Sequence, residues 1–308
     1  MIKQARAGKY SRLERRAWPV AALFIGPQMA MVALFYLWPM VYAIYMSLTD
    51  WSGLTAPQFL GLENYAKLFT SKTALREMGN TFTYMLGAVP ITLLLSLLLA
   101  SALNRRIPCR GFFRVAYFLP AVTMPVAVAM VWRWLLNSKY GIVNNALRAL
   151  GLPAPGWLVD PNVIMTTLVL VTVWMRVGYN MIILLAGLQG IGRQYYEAAE
   201  VEGAGRFAIF FRVTLPLLSP VLFFLLTMMV MDALKAFDII FVFSGVSSKL
   251  AGGPLLDATR TMVFGIYQNG FSFMRMGYAS AQATVLFLII LAMTALQFYL
   301  QKKWVHYE

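Results

Sequence analysis

The chain has 308 residues, 60% of them hydrophobic and only 12% charged, about half the charged share of an ordinary soluble domain, roughly 25%. This composition excludes a water-soluble enzyme and points to an all-α, polytopic membrane protein. A formal net charge of +14 would suit nucleic acid as a partner, but the basic residues form no single patch, so no nucleic acid is expected.

Residues 1–17 read as a basic cytoplasmic tail that touches anionic headgroups. Residues 18–308 read as one transmembrane domain. Six apolar runs approach the about 20 residues needed to cross a bilayer. They are Trp18–Leu48, Phe82–Leu103, Val115–Leu136, Val163–Leu188, Leu217–Phe243 and Tyr278–Leu300. The first run is too long for the hydrophobic region of a signal peptide and ends without a small-residue cleavage site, so a retained span is expected. Pro27 and Pro39 predict a kink in it. Trp51 suits the interface, and Phe59–Phe69 reads as an amphipathic stretch lying on the membrane surface.

The second run stops at Asn104-Arg105-Arg106. Cys109, the only cysteine, excludes an internal disulfide or a cysteine metal site. The third run holds Pro120, Pro125 and then Trp132-Arg133-Trp134. Arg133 there either snorkels between tryptophans or lines a solute path. The outer loop from Asn137 to Asn162 is rich in turn formers. In the fourth run Trp174, Arg176, Tyr179 and Asn180 fall within seven residues. An arginine in a span costs about 2.5–3.5 kcal/mol unless it meets water or a partner. This group therefore faces the bundle interior, either packing helices or lining a pathway.

In the fifth run Asp232, Lys235 and Asp238 stand at i, i+3 and i+6. On a continuous helix each neighbouring pair is in reach. They form either a water-accessible charged face or a self-neutralised triad. The last outer loop contains Ala251-Gly252-Gly253-Pro254, and the sixth run opens with small residues from Gly277 to Ala283, which permit close helix contact.

With both termini inside, inner segments hold 15 of the 26 basic residues, outer loops eight and the spans three. The excess of positive charge supports that orientation. It places the stretch from Tyr195 to Pro220 on the cytoplasmic side. Three of the chain's 12 carboxylates, Glu197, Glu200 and Glu202, lie in this stretch. Ala198 and Ala199 beside them favour a helix that another protein approaches closely, with Gly203 as its left-handed stop. A second short helix is expected from about Arg206 to Val213, before Pro216 starts the next span.

Glu197-Ala198-Ala199, Glu202, Gly203-Ala204, Phe210, Val213, Leu215-Pro216 and Pro220 resemble the EAA loop of binding-protein-dependent ABC importer permeases. Glu202 stands where that family usually has Asp, and Gly192 where many sugar permeases have Pro. The Ser47–Trp51, Gly61–Tyr65, Gly252–Pro254 and Gly277–Ala281 wording is similar to the sugar branch (maltose and glycerol-3-phosphate type). The resemblance implies a type I permease whose loop 192–215 carries a coupling helix. It implies two separate ATPase subunits that bind the ATP and magnesium, a second, similar but different permease subunit and an extracytoplasmic solute-binding protein. The setting it implies is the cytoplasmic (inner) membrane of a bacterium or archaeon, and the cargo a sugar, polyol or glycerol-phosphate moved by alternating access.

Trp132, Arg133, Trp174, Arg176, Tyr179, Asn180, Asp232, Lys235 and Asp238 are the candidate pathway residues. No catalytic constellation, cofactor site or metal site is expected. No phosphate-loop motif exists, since Gly8-Lys9 runs into Tyr10 without the required spacing, and His306, the only histidine, stands at the C-terminal end. An ion-coupled secondary transporter using Asp232 and Asp238 is the alternative, although the inverted repeats frequent in that class are not visible. A membrane enzyme would lack catalytic groups.

Overall fold

The computed structural model describes residues 19, 22–105, 107–244 and 253–305. The basic tail, Trp18, Arg106, Ala251-Gly252 and His306 lie outside them. Helix α1 spans Ala22–Met46 and contains a π turn at Ala33–Leu37, immediately before Pro39. A proline removes the N–H that would bond the carbonyl four residues back and clashes with it. A wider turn relieves that clash.

A small antiparallel pair, β1 (Thr49–Asp50) and β2 (Gln58–Phe59), follows α1. Helix α2 covers Glu63–Thr70. Its Leu68 and Asn64 are buried, and Asn64 Nδ2 donates to the carbonyls of Ser47 and Thr49, both at 2.9 Å. The protein itself uses Asn64 and Leu68 of this amphipathic stretch, while Phe59, Leu62 and Phe69 stay exposed.

Helix α3, Lys72–Leu103, starts ten residues before the apolar run does. Ser71 caps it by accepting from Ala74 N at 3.4 Å. Its polar first turns are held by the polypeptide before the last span. Asn80 Nδ2 donates to the carbonyls of Asp257 and Arg260, and Met262 N donates to Thr81 Oγ1 at 2.9 Å. Arg76 pairs with Asp257. Glu77, 2% exposed, accepts from Gln282 Nε2 at 2.9 Å and lies 3.6 Å from Arg260. Glu77 and Arg260 help line a polar cavity of about 640 Å³ at this end.

The third run is broken. Helix α4 (Arg110–Val122) and α5 (Pro125–Leu135) meet at a bend of 101°. Pro125 biases Met124 out of the helical region, and Met124 has ψ 128°. Thr123 Oγ1 donates to the Pro120 carbonyl at 2.6 Å, capping the interrupted turn. Among the described residues there are therefore five apolar helical segments long enough to cross a membrane, and six when the bent pair is one span.

Helix α6 (Ile142–Ala149) stands in the loop that follows. Its buried Asn144 accepts from Trp157 Nε1 at 2.7 Å. Helix α7, Ile164–Gly190, makes the most extensive helix contact in the chain, with α3. Ser96 Oγ donates to the Val177 carbonyl at 2.9 Å across that seam. On its other side α7 packs on α4 through Gly178, where a Cβ would strike the Tyr117 carbonyl.

Helix α8 covers Arg193–Val201. Helix α9 starts at Arg206–Ile209, passes through a π turn at Phe210–Thr214 and continues as Leu215–Leu234. The short second helix and the fifth span are thus one element. Pro216 lies inside it, with the wide turn just before, and the carbonyl that Pro220 leaves without an N–H partner, that of Pro216, accepts from Ser219 Oγ at 2.6 Å. After a break at Lys235–Phe237, α10 covers Asp238–Phe243. Helices α11 (Pro254–Thr259), α12 (Met262–Tyr267) and α13 (Met276–Trp304) complete the fold.

Two cores hold these helices together. One packs Leu168, Val230, Leu234, Ile240 and Phe264. The other packs Ala100, Leu103, Leu184, Leu188 and Leu218 near the α8 end. Gly178→Leu is predicted to push α4 from α7 and destabilise the chain by about 1–3 kcal/mol, the usual cost of overpacking. Thermal unfolding in detergent, followed by size-exclusion chromatography, checks this against Gly111→Leu, a site with open space around it.

Candidate functional site

Arg176, Tyr179 and Asn180 on α7, Asp232 on α9, Lys235 just after it and Asp238 at the start of α10 line one cavity of about 410 Å³. The lower turns of α3 supply Tyr84, Ala88 and Thr92 at intervals of four residues. Arg176 Nη1 lies 3.7 Å from Asp232 Oδ2, with the two side chains 47% and 46% exposed. Tyr84 Oη and Thr172 Oγ1 share a hydrogen bond of 2.8 Å beside them. Asn180 is buried and donates from Nδ2 to the Arg176 carbonyl at 3.0 Å.

Of the two readings of Asp232, Lys235 and Asp238, the self-neutralised triad does not form. Lys235 caps α9 with φ −97° and ψ 7°, and Phe237 has φ −137°, so the three residues share no continuous helix. Among the described residues no carboxylate lies within 4.0 Å of Lys235; Asp232 turns to Arg176 instead. The Phe237 ring packs on Tyr267 at 5.3 Å and on Phe241 at 5.1 Å. Burial of that ring against α12 offsets the broken turn, which no Pro or Gly of the local sequence signals.

Trp132, Arg133 and Trp174 do not line the cavity. Trp132 and Trp174 stack edge to face at 5.3 Å and join α5 to α7. Arg133 lies in the last turn of α5. The bend after α4 turns this segment away from the course a straight span would follow. Tyr84, Thr92 and Thr172 went unread in the sequence, although hydroxyls spaced on one face of an apolar helix are a usable signal.

The second candidate element is α8. Arg193 Nε pairs with Glu197 Oε1 at 2.7 Å, and both side chains are exposed. Such a surface pair contributes little, so Glu197 stays free to change partners. The helix ends in a Schellman motif. Gly203 N donates to Glu200 O and Ala204 N to Ala199 O, each at 3.0 Å, and Gly203 has φ +76°. Thr214 Oγ1 lies 3.5 Å from Tyr196 Oη and braces α8 against the first turns of α9. Glu202 is the C-terminal cap of α8. Phe210 opens the π turn of α9, and Pro216 follows it.

Spans of this length, a cavity lined by charged and hydroxyl groups within them and a short exposed helix at one end define a membrane transport subunit. The model of the family described as binding-protein-dependent transport system inner membrane component matches residues 59–306. The chain belongs to that family.

It is 36% identical over 307 residues to the "Probable ABC transporter permease protein YesP" of Bacillus subtilis (strain 168), covering 99% of this chain and 97% of the relative. It is 32% identical to the sn-glycerol-3-phosphate transport system permease protein UgpA of Agrobacterium fabrum, with 92% and 95% covered. A solved bacterial alginate ABC transporter, in complex with an alginate pentasaccharide-bound periplasmic protein, contains a chain of the same fold. Its TM-score is 0.82 at 23% identity, with 94% of this chain and 96% of that one covered. Nothing favours the ion-coupled alternative.

The Arg176–Asp232 pair is half exposed, so its coupling in a double-mutant cycle with Arg176→Gln and Asp232→Asn is predicted at about 0.2–1 kcal/mol. Thermal unfolding of the four proteins measures it. A coupling of several kcal/mol would mean that the pair holds the fold together rather than standing open to the cavity.

Proposed function

We propose that this permease carries a sugar, or a related polyol or glycerol-phosphate, and that the cavity between α3, α7 and α9 is its solute path. The observation that carries this reading is the convergence of Arg176, Tyr179, Asn180, Asp232, Lys235 and Asp238 on one cavity, at the far end of the helix that starts beside α8. A polyhydroxylated solute offers donors and acceptors to these groups, and Phe224 and Phe237 supply apolar surface for its ring faces. The glycerol-phosphate and sulfoquinovosyl glycerol transport permeases among its relatives support this chemical class.

In this reading α8 enters a cleft of a separate ATPase subunit. That partner binds ATP and magnesium, and this chain provides no cofactor site. One docking helix serves one ATPase, so two ATPases require a second permease subunit, a different but similar chain. An extracytoplasmic binding protein delivers the solute. ATP-driven closure of the ATPase pair shifts α8, and α9 carries the shift to the cavity. Such alternation needs ligands that bind the two states unequally, and a helix shared between two proteins meets that need. Both termini and α8 lie in the cytoplasm of a bacterial or archaeal cell.

Gly203 is the most sensitive position of the docking element. Gly203→Pro removes the N–H bonded to Glu200 O and demands a φ near −65° in place of +76°. Transport and binding-protein-stimulated ATP hydrolysis are expected to be lost while the chain still inserts. Gly203→Ala costs only about 1–2 kcal/mol of left-handed strain and retains partial coupling. Ala199→Trp blocks docking by size, and the exposed Glu200 tolerates Gln. Coupled transport at the original level in Gly203→Pro would make the loop a passive connector.

Asp232→Asn and Asn180→Ala are expected to raise the apparent KM for transport about tenfold, the loss of a hydrogen bond to a charged or buried group, without weakening ATPase docking. Normal uptake by both would remove the cavity from the path. Orientation is checked with single cysteines in a Cys109→Ser background: a label applied from outside should reach position 257 and miss position 200.

A further inference from the structure

The polar cavity of about 640 Å³ at the start of α3 lies apart from the solute path between α3, α7 and α9. Its base is buried and held in place. Gln282 Nε2 donates to Glu77 Oε2 at 2.9 Å, and Asn269 Nδ2 donates to Gln282 Oε1 at 3.0 Å and to the Gly265 carbonyl at 2.9 Å. Its mouth is open to water, for Asp50, Lys67, Thr73, Phe273 and Arg275 on its wall are exposed. A buried, ordered polar base under an exposed mouth has the form of a small-molecule site, and the volume falls within the roughly 300–1,000 Å³ of such sites.

The lining groups define what fits. Lys67 pairs with Glu63 at 2.8 Å, Arg260 lies 3.6 Å from Glu77, and Arg275 lies over the Phe273 ring with its centroid 5.9 Å away. Asp50 matches the charge of Arg275, so the wall holds no excess of cations for a phosphate or carboxylate. Ser71, Thr73, Gln268 and Asn269 add hydroxyls and amides, each both donor and acceptor. Phe273 and Tyr278 add ring faces. Hydroxyls and an apolar ring face are what a neutral sugar offers in return.

The cavity also stands in line with the inner one. Glu77, Thr81, Tyr84 and Ala88 recur at i, i+4, i+7 and i+11 on one buried face of α3. Glu77 lines the outer cavity, and Tyr84 and Ala88 line the inner one, the first step being about 10 Å along the helix. Thr81 between them accepts from Met262 N at 2.9 Å. Tyr267, next to Gln268 of the outer cavity, packs on Phe237 of the inner one at 5.3 Å.

We propose that this cavity is a second solute site, the first that the cargo meets from outside, and that it takes an uncharged sugar or polyol. The proposal rests on the sugar reading and on the orientation with α8 in the cytoplasm. A loop of the binding protein would meet the exposed mouth but leave the buried amides at the base unread.

The test uses the full-length chain in detergent and saturation-transfer NMR, with maltose, glycerol, glycerol-3-phosphate and glucuronate as probes. Maltose and glycerol are expected to give signals and the two anions none. A nitroxide at position 72, in a Cys109→Ser background, is expected to broaden the maltose resonances. Thr73→Trp, at an exposed position, fills the mouth and removes this broadening, whereas Thr73→Ser and Asp232→Asn retain it. Phe273→Ala weakens maltose more than glycerol, which has no ring face. Maltose signals that are not broadened, and that Asp232→Asn removes, would overturn the outer site and leave the sugar reading standing. Broadening that survives Thr73→Trp would also overturn it, and equal signals from the anions would overturn the uncharged class. No signal from either neutral probe would overturn the outer site whatever the inner cavity carries. Maltose retained by Thr73→Trp, together with lost association of the binding protein, would assign the mouth to that partner instead.

Discussion

Inside hydrocarbon no water is present to satisfy a backbone N–H or carbonyl, so a spanning segment must satisfy its own. Helix α9 meets this constraint despite two prolines. Its π turn at Phe210–Thr214 absorbs the first, and the Ser219 hydroxyl caps the carbonyl released by the second. The result is a continuous arm from Arg206 to Leu234, with Asp232 about 40 Å from its start at ~1.5 Å per residue. One end of the arm adjoins α8 and the other reaches the polar cavity. Without that continuity a force applied at α8 would dissipate in a loop.

Charge obeys the same constraint. An isolated Arg176 or Asp232 within a span would be costly, and each lowers the cost of the other across the cavity at 3.7 Å. The pair remains half open, so the groups that permit insertion are also presented to the cavity. About two turns before the α3 residues that line the cavity, Glu77 is 2% exposed and tied to Arg260 and Gln282. A Cβ at Gly265 would collide with the Glu77 carboxylate. That network fixes the first turns of α3 to the segment before the last span.

The number of spans and the short helix at Arg193–Val201 were legible in the sequence because both depend on local signals. Runs of apolar residues predict spans. Glu197-Ala198-Ala199 ending in Gly203 predicts a short helix with a left-handed stop, and Gly203 has φ +76°. Tertiary packing decided the rest. The break at Lys235–Phe237 depends on the Phe237 ring meeting Tyr267, a residue distant in sequence. The 101° bend was foreshadowed by Pro120 and Pro125, but its angle was not. Trp132 and Arg133 follow that bend and lie outside the cavity, and Trp174 turns its ring to Trp132 instead of the cavity. The joining of Arg206–Ile209 to the fifth span was hidden by Pro216, which reads as a helix start.

The central claim is that the docking helix and the cavity wall move as one body through α9. Double electron–electron resonance tests it directly, with spin labels at positions 200 and 228 in a Cys109→Ser background of the assembled transporter. A second pair at positions 228 and 98 reports motion of α9 against α3. On trapping the ATP-bound state the account predicts an unchanged distance for the first pair and a shifted distance for the second. A change within the 200–228 pair, with the 228–98 distance fixed, would show that the arm bends and that the docking helix does not drive the cavity.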